Sequence, residues 1–427
     1  MNIKLSKYII PSVISMVLVG TYTNIDGFFI GNVTGDDGLA AINLAWPIVA
    51  LITSLGTGIG VGGSVIMNKY RGEGKNDAAE RTRSTMIMLL FAVGIVCSGL
   101  FTLLCRPLVI LMGAEGQVLK YALEYSYVIS AGAVFQIVGA GLVALLRNEQ
   151  KTYLSMLSCF AGLLTHIILD LLLVEKYTLG GVGASTVISQ VVIMLLCLIT
   201  LRRDAGGRID RSLILPILKC STSPLGINFV SSVVLLLTNL FALAKAGTPG
   251  VSAYAVMSYA VCTFEYVFQG VCDGVQPIVS YCYGAGLAKE ERGALRNCAI
   301  TIFAFSLGFA LLTPGLIAIM PKLFAVSDTA RELMRSGFII YAFSYPLKAA
   351  AKLVGSYFYS CGKTAISNTL IYIEPLLITP LTLVTLSAAF DMRGVWASLT
   401  VTQLILCSIS IPLFLRSLKK REAEKTI

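Results

Sequence analysis

Three side chains with acid–base capacity fall inside almost wholly apolar runs: Asp26 in VGTYTNIDGFFIGN (19–32), and His166 and Asp170 in HIILD (166–170). An ionised Asp at the centre of a hydrocarbon layer costs roughly 2.5–3.5 kcal/mol on insertion scales. Asp26 lies 18 residues beyond Tyr8, and Asp170 18 residues beyond Thr152, the positions where their apolar runs begin. If both runs are helices crossing in the same direction, both carboxylates reach one depth, about 27 Å along the helix. At one depth they repel and desolvate each other, which favours uptake of a proton or a small cation. His166 precedes Asp170 by four residues, so the two share a helix face, and the imidazole can compensate charge or relay the proton. The competing reading is that Asp26 is satisfied locally or wetted near a membrane surface, and that His166 is a polar packing group.

A second set is Glu265, Gln269, Asp273 and Gln276, whose spacings of four, four and three make one helical stripe. Phe264, Tyr266 and Phe268 flank its upper part. An acidic, aromatic-flanked stripe in a membrane cavity suits lipophilic cations. The competing reading is a salt-bridged helix contact with Lys348 or Lys352. Glu374, next to Pro375 and near Pro380, is a further candidate. Cofactor chemistry finds no support. The glycines Gly58, Gly60 and Gly63 spell G-x-G-x-x-G, but no strand precedes them and no acidic ribose contact follows, so they read as close helix packing. GEGK (72–75) lacks the spacing of a phosphate loop. His166 is the only histidine, so neither a Ser–His–Asp triad nor a histidine metal cluster can be built. The expectation is no enzyme, no cofactor and no metal beyond a proton or small cation taken up at Asp26 and Asp170.

These residues need a membrane around them. The 427 residues are 56% hydrophobic and 13% charged, with a mean hydropathy of +0.81, whereas soluble chains carry about 25% charge. The net charge of +10 sits in short loops between apolar runs, with no nucleic-acid motif, so the lipid bilayer and not a nucleic acid is the expected partner. Eleven cysteines are scattered without a C-x-x-C pair and read as buried hydrophobes. The first apolar run is too long for a signal-peptide core and reads as a retained helix. Runs of spanning length fall at 8–31, 39–68, 84–105, 118–146, 152–175, 180–201, 213–246, 250–283, 294–320, 331–361, 364–389 and 394–416. Alternate loops, with the two termini, hold 23 of the 33 basic residues against 8 on the other side. These include Lys4, Lys7, Lys69, Arg71, Arg202, Arg203 and Lys425. The positive-inside rule then puts both termini in the cytoplasm of a multi-pass protein of the cytoplasmic membrane.

The chain repeats itself. YRGEGKNDAAER (70–81) resembles CYGAGLAKEERG (282–293), and RNEQKTYLS (147–155) resembles YSCGKTAIS (359–367), both at an offset of 212. GVGASTVISQ (181–190) resembles GVWASLTVTQ (394–403) at 213. The expected fold is an all-α integral membrane protein of twelve transmembrane helices, in two parallel-repeat six-helix lobes around a central cavity. The lobes are 1–201 and 224–416, with a linker at 202–223 and a basic tail at 417–427. The second half does not repeat the acids: Thr238 stands opposite Asp26 and Thr382 opposite Asp170.

NIDGFFIG…GLAAINLAWP, HIILD…LGGVGAS and GVCDGVQPIVSYCYGAG resemble the multidrug and toxic compound extrusion (MATE) family over nearly the whole chain. The resemblance implies a secondary antiporter that exports lipophilic, mostly cationic small molecules in exchange for H⁺ or Na⁺ by alternating access; a monomer is expected. It also implies a cation site from an Asp in helix 1 and Asn-x-x-x-Asp in helix 5. Asp26 and Asp170 match the acids, and His166 stands at the Asn. A Thr that completes the site in some members falls at Ile188, with Thr186 and Ser189 nearby. Second-lobe carboxylates used for Na⁺ in another branch, in helices 7 and 10, have no match. CDG (272–274) resembles an acidic version that places Asp273 toward substrate. The alternative is a lipid-linked precursor flippase with the same duplicated fold, in which Lys348 and Lys352 would meet pyrophosphate.

Overall fold

Several apolar runs are too long for one crossing and are cut by single residues in the left-handed backbone region. A computed structural model describes residues 5–201, 207–324 and 326–423, which are helical almost throughout and contain no strand. Seven of the described helices are long and apolar enough to cross a membrane, and the pair Gly116–Ala131 and Ala133–Asn148, bent by 58°, makes an eighth. Thr152–Leu201 has 50 residues, about 75 Å if straight against ~30 Å of hydrocarbon. It does not run straight. A Cβ on Gly181 would lie 2.6 Å from Leu173 O, on Gly250 2.6 Å from Ala242 O, and on Gly394 1.9 Å from Leu386 O. Residues eight apart in one straight helix are separated by about 12 Å. The chain therefore doubles back at Thr178 (φ 48°), Gly247 (φ 61°) and Asp391 (φ 48°), as it does at Gly35 (φ 62°).

Divided at these points, the described residues form twelve helical segments. They are α1 (Ser6–Gly35), α2 (Asp37–Gly72), α3 (Asn76–Leu111), α4 (Gly116–Ala131 with Ala133–Asn148), α5 (152–177) and α6 (179–201), then α7 (214–246), α8 (248–284), α9 (Ala288–Leu323), α10 (Asp328–Ser360), α11 (364–389) and α12 (392–423). The bend in α4 falls at Gly132, where a Cβ would meet Val187 at 2.3 Å. In α11 the helix widens to a π turn at Glu374–Ile378, which contains Pro375 and precedes Pro380; proline removes a helical donor and displaces the carbonyl one turn back.

The duplication is written in the turns. Left-handed residues pair as Gly35 with Gly247, Gly74 with Gly286 and Gln150 with Gly362 at 212, and as Thr178 with Asp391 at 213. Ser155 Oγ donates to Val143 O at 3.2 Å, and Ser367 Oγ to Gly355 O at 3.2 Å, again 212 apart. A β-branched residue rarely takes positive φ. At Thr178 the Oγ1 donates to Glu124 Oε2 at 2.9 Å, and the exposed Asp391 carboxylate lies 3.5 Å from Lys245 Nζ.

Contacts divide the chain into one unit of Ser6–Phe229 and another beginning at Val230, so the boundary falls within α7. Helix α7 begins at Ile214, inside the stretch read as linker. Pro216 is tolerated in its first turn, and Leu213 and Ile217 are buried and draw the start of the helix onto the first unit. Before it, Asp210 Oδ1 accepts from Ser212 N at 3.0 Å and Ser212 Oγ at 2.6 Å, which holds that carboxyl below its usual range. Residues 202–206, with Arg202 and Arg203, lie outside the described residues, as do Lys4 and Lys425.

The glycines of α2 make the first unit tight. A Cβ on Gly56 would meet Ile137 O at 2.4 Å, on Gly60 Gly141 O at 2.5 Å, and on Gly62 Ser221 N at 2.6 Å. The G-x-G-x-x-G run is thus a packing surface against α4 and α7. Arg83 Nε meets Glu149 Oε1 at 3.0 Å and Arg83 Nη2 donates to Leu201 O at 3.0 Å, tying α3 to the C-terminal ends of α4 and α6. Gly60→Ala is expected to destabilise the purified protein by roughly 1–3 kcal/mol through overpacking, lowering its melting temperature. Gly99→Ala, where a Cβ meets nothing within 4 Å, is the control expected to melt like the parent; equal melting of both variants would contradict the close approach.

Candidate functional site

Helices α1 and α5 bring the three ionisable residues together. His166 Nε2 lies 2.8 Å from Asp26 Oδ1 and 3.1 Å from Asp170 Oδ2. All three are buried: Asp26 is 5% exposed, His166 0% and Asp170 1%. One ligand atom from each lies within 4.8 Å of the others, a spacing that fits one cation. Tyr22, one turn before Asp26, presents its ring edge-on to the imidazole at 4.8 Å. Gly162, one turn before His166, makes room for it, since a Cβ there would lie 2.8 Å from the Tyr22 hydroxyl. Tyr125 of α4, also buried, lies within electrostatic range of both carboxylates.

The arrangement is short of positive charge. With a neutral imidazole, Nε2 offers one N–H to two carboxylates. The contact to Asp26 is a hydrogen bond, whereas that to Asp170 is a charge contact without good donor geometry. An imidazolium still leaves one negative charge uncompensated. Nearby hydroxyls are engaged along their own helix, Thr186 Oγ1 donating to Val182 O at 3.0 Å, Ser185 Oγ to Gly181 O at 3.0 Å and Ser189 Oγ to Thr186 O at 2.7 Å, although the Ser185 hydroxyl also lies within reach of Asp170. Ile188 is 42% exposed and contributes no ligand. The site can therefore accept a proton or a small cation.

The second unit builds its stripe on α8. Gln269 Nε2 donates to Asp273 Oδ1 at 2.7 Å, and Gln276 Nε2 to Ser280 Oγ at 2.9 Å; Gln269, Asp273 and Gln276 are all buried. Glu265 is not a free carboxylate. It is ion-paired with Lys348 of α10 and accepts from Ser231 Oγ at 3.1 Å, which is the salt-bridged contact named as the competing reading. Phe264 stacks on Phe309 with ring centroids 3.9 Å apart and meets Tyr345 edge-on at 5.3 Å. Phe268 lies against the same Phe309 at 5.8 Å. These two rings are core packing within the unit and not open faces, because α9 supplies an aromatic partner that spacing along α8 cannot reveal. Glu374, at the π turn, accepts from Gln403 Nε2 at 2.6 Å.

Sequence reasoning missed Tyr22, Tyr125 and Gln403. Tyr22 carried a signal, its place one turn from Asp26 on α1; the other two lie on different helices and carried none. Removing the imidazole should expose the charge shortage. His166→Leu leaves two buried carboxylates without a donor and is expected to lower the melting temperature, with a cost on the order of 3–5 kcal/mol. Asp26→Asn removes one of the charges and is expected to keep the parent melting temperature; the reverse ranking would rule out the three-residue cluster.

Comparison with known proteins follows the same lines. The MatE family model matches residues 11–172 and 224–384, two blocks set apart by the internal repeat. The Multidrug export protein MepA of Staphylococcus saprophyticus subsp. saprophyticus is 24% identical over 425 residues, covering 96% of this chain and 93% of its own. MepA of Staphylococcus aureus strain N315 is 24% identical over 438 residues with the same coverage. A solved outward-facing multidrug resistance MATE family transporter of the MOP superfamily superposes with a TM-score of 0.91 at 19% identity, over 98% of this chain and 96% of the other. A MOP superfamily transporter from Pyrococcus furiosus, described as having a binding pocket of reverse polarity, gives the same figures, TM-score 0.91 and 19% identity over 98% and 96%. With both halves matched and the fold shared end to end, the chain belongs to the MatE family and is a multi-pass membrane transporter, not an enzyme.

Proposed function

We propose that this transporter is a secondary multidrug exporter that moves lipophilic, mostly cationic small molecules outward in exchange for H⁺, or for Na⁺, by alternating access, with both termini cytoplasmic. One observation carries the coupling: a single imidazole nitrogen within 2.8 and 3.1 Å of two buried carboxylates. The donor set favours H⁺, since Na⁺ prefers oxygen ligands and the central atom here is nitrogen. Occupancy of the site relieves the uncompensated charge and biases the transporter toward the state that binds the ion more tightly. The export of drugs is supported by the MepA relatives, named multidrug export proteins. Gln269, Asp273 and Gln276 are the residues proposed to meet the substrate. The flippase alternative draws no support from the lysines, because Lys348 is already paired with Glu265.

Ethidium efflux from proteoliposomes, under an imposed pH gradient and then an imposed sodium gradient, tests the reading. Efflux is expected to follow the pH gradient. Asp170→Asn is expected to fold and to lose gradient-driven efflux by at least an order of magnitude. Parent-like driven efflux from that variant would remove the coupling assignment.

A further inference from the structure

The second unit repeats the turns of the first but not its ionic chemistry. Thr238, Ile378 and Thr382 stand where Asp26, His166 and Asp170 stand in the first unit. Both hydroxyls are committed: Thr238 Oγ1 donates to Val234 O at 2.8 Å, and Thr382 Oγ1 lies 3.0 Å from Ile378 O and 2.8 Å from Thr402 Oγ1. The carboxylates lie elsewhere, Glu265 on α8 and Glu374 on α11, and Lys348 of α10 lies within electrostatic range of both. Lys348 is ion-paired with Glu265, while Lys352, one turn on, reaches the Glu265 carbonyl at 3.4 Å. Gln403 holds Glu374 at 2.6 Å. Tyr254, Tyr341, Tyr345, Tyr266 and Cys262 are further titratable groups near the pair, and Cys407 lies near Glu374. Asp273, two turns along α8, takes the Gln269 amide and belongs to the substrate stripe.

A buried carboxylate requires a positive partner. The first unit supplies one imidazole for two carboxylates. The second supplies Lys348, ion-paired with the part-buried Glu265 on a side chain that cannot leave, with Lys352 on the Glu265 backbone carbonyl and Glu374 taking an amide from Gln403. We propose that Lys348 is a tethered counter-ion: it fills permanently in the second unit the role that a proton or metal ion fills in the first, and so confines ion coupling to a single site. This rests on the coupling reading of Asp26, His166 and Asp170.

The number of coupling ions moved per ethidium, read from reversal potentials in proteoliposomes with proton and sodium gradients set separately, tests the proposal. Asp26→Asn and Asp170→Asn are expected to bring the number to zero. Lys348→Gln frees Glu265 and is expected to add one proton or sodium ion per cycle, whereas Lys348→Arg keeps the wild-type number. The double variant Glu265→Gln/Lys348→Gln removes the freed carboxylate and is expected to restore the wild-type number. An unchanged number in transporting Lys348→Gln, or ion-driven efflux surviving in either Asp variant, overturns the proposal. If Lys348→Gln does not fold, the double variant decides, since loss of an ion there places Glu265 in the coupling site. Wild-type efflux indifferent to both gradients overturns the coupling reading itself, and this inference with it.

Discussion

His166 Nε2 lies 2.8 Å from Asp26 Oδ1 and 3.1 Å from Asp170 Oδ2, so one nitrogen faces two carboxylates in a region closed to solvent. Neither tautomer nor imidazolium satisfies both acids, and the hydroxyls of α6 point to carbonyls of their own helix. The rest of the first unit keeps it that way. Gly162 admits the Tyr22 ring, which covers one side of the imidazole. The glycines of α2 bring that helix against α4 at backbone contact, leaving little room for relaxation or for water. A looser unit would let the carboxylates separate and hydrate, and the crowding of charge would disappear.

The duplicated frame and the chemistry it carries have diverged. Left-handed turns recur at the same offset because the bilayer fixes helix length and a tight reversal needs positive φ. The four turn pairs include two, Gln150 with Gly362 and Thr178 with Asp391, in which the residue type is not kept. At Thr178 a hydrogen bond to Glu124 accompanies the conformation that glycine would adopt freely, and at Asp391 the residue type is one that tolerates positive φ. The same substitution logic at Asp26 and Asp170, replaced by Thr238 and Thr382, removes ionic character while keeping small polar side chains that hydrogen-bond back along the helix.

The sequence made the frame legible because both of its controls are periodic. Apolar run length gave the spans, and offset gave the repeat. The Asp26–His166–Asp170 cluster was legible for a similar reason: depth follows from counting 1.5 Å per residue, and face follows from a spacing of four. What spacing cannot supply is the partner across a helix interface. The stripe on α8 is regular, but whether Glu265 is free depends on Lys348 of α10, and whether Phe264 is open depends on Phe309 of α9. The start of α7 was obscured for another reason: polar and basic residues around 208–212 read as linker, while the burial of Leu213 and Ile217 that fixes the helix is a tertiary contact.

The contrast between two carboxylates sharing one imidazole and a carboxylate paired with Lys348 bears on how such a transporter can be driven. A ligand shifts a conformational equilibrium only by the difference in its affinity for the two states, and reversing a 1:99 balance takes about 5.5 kcal/mol. An uncompensated buried charge costs several kcal/mol, so on the coupling reading neutralising it is an effect of the required size. A lysine on the same chain, such as Lys348, compensates its carboxylate without being bound or released and therefore contributes no gradient dependence. On the coupling reading, charge is compensated by an exchangeable ion in one unit and by a fixed ammonium in the other, while on the α8 stripe Gln269 is engaged with Asp273 and Gln276 with Ser280.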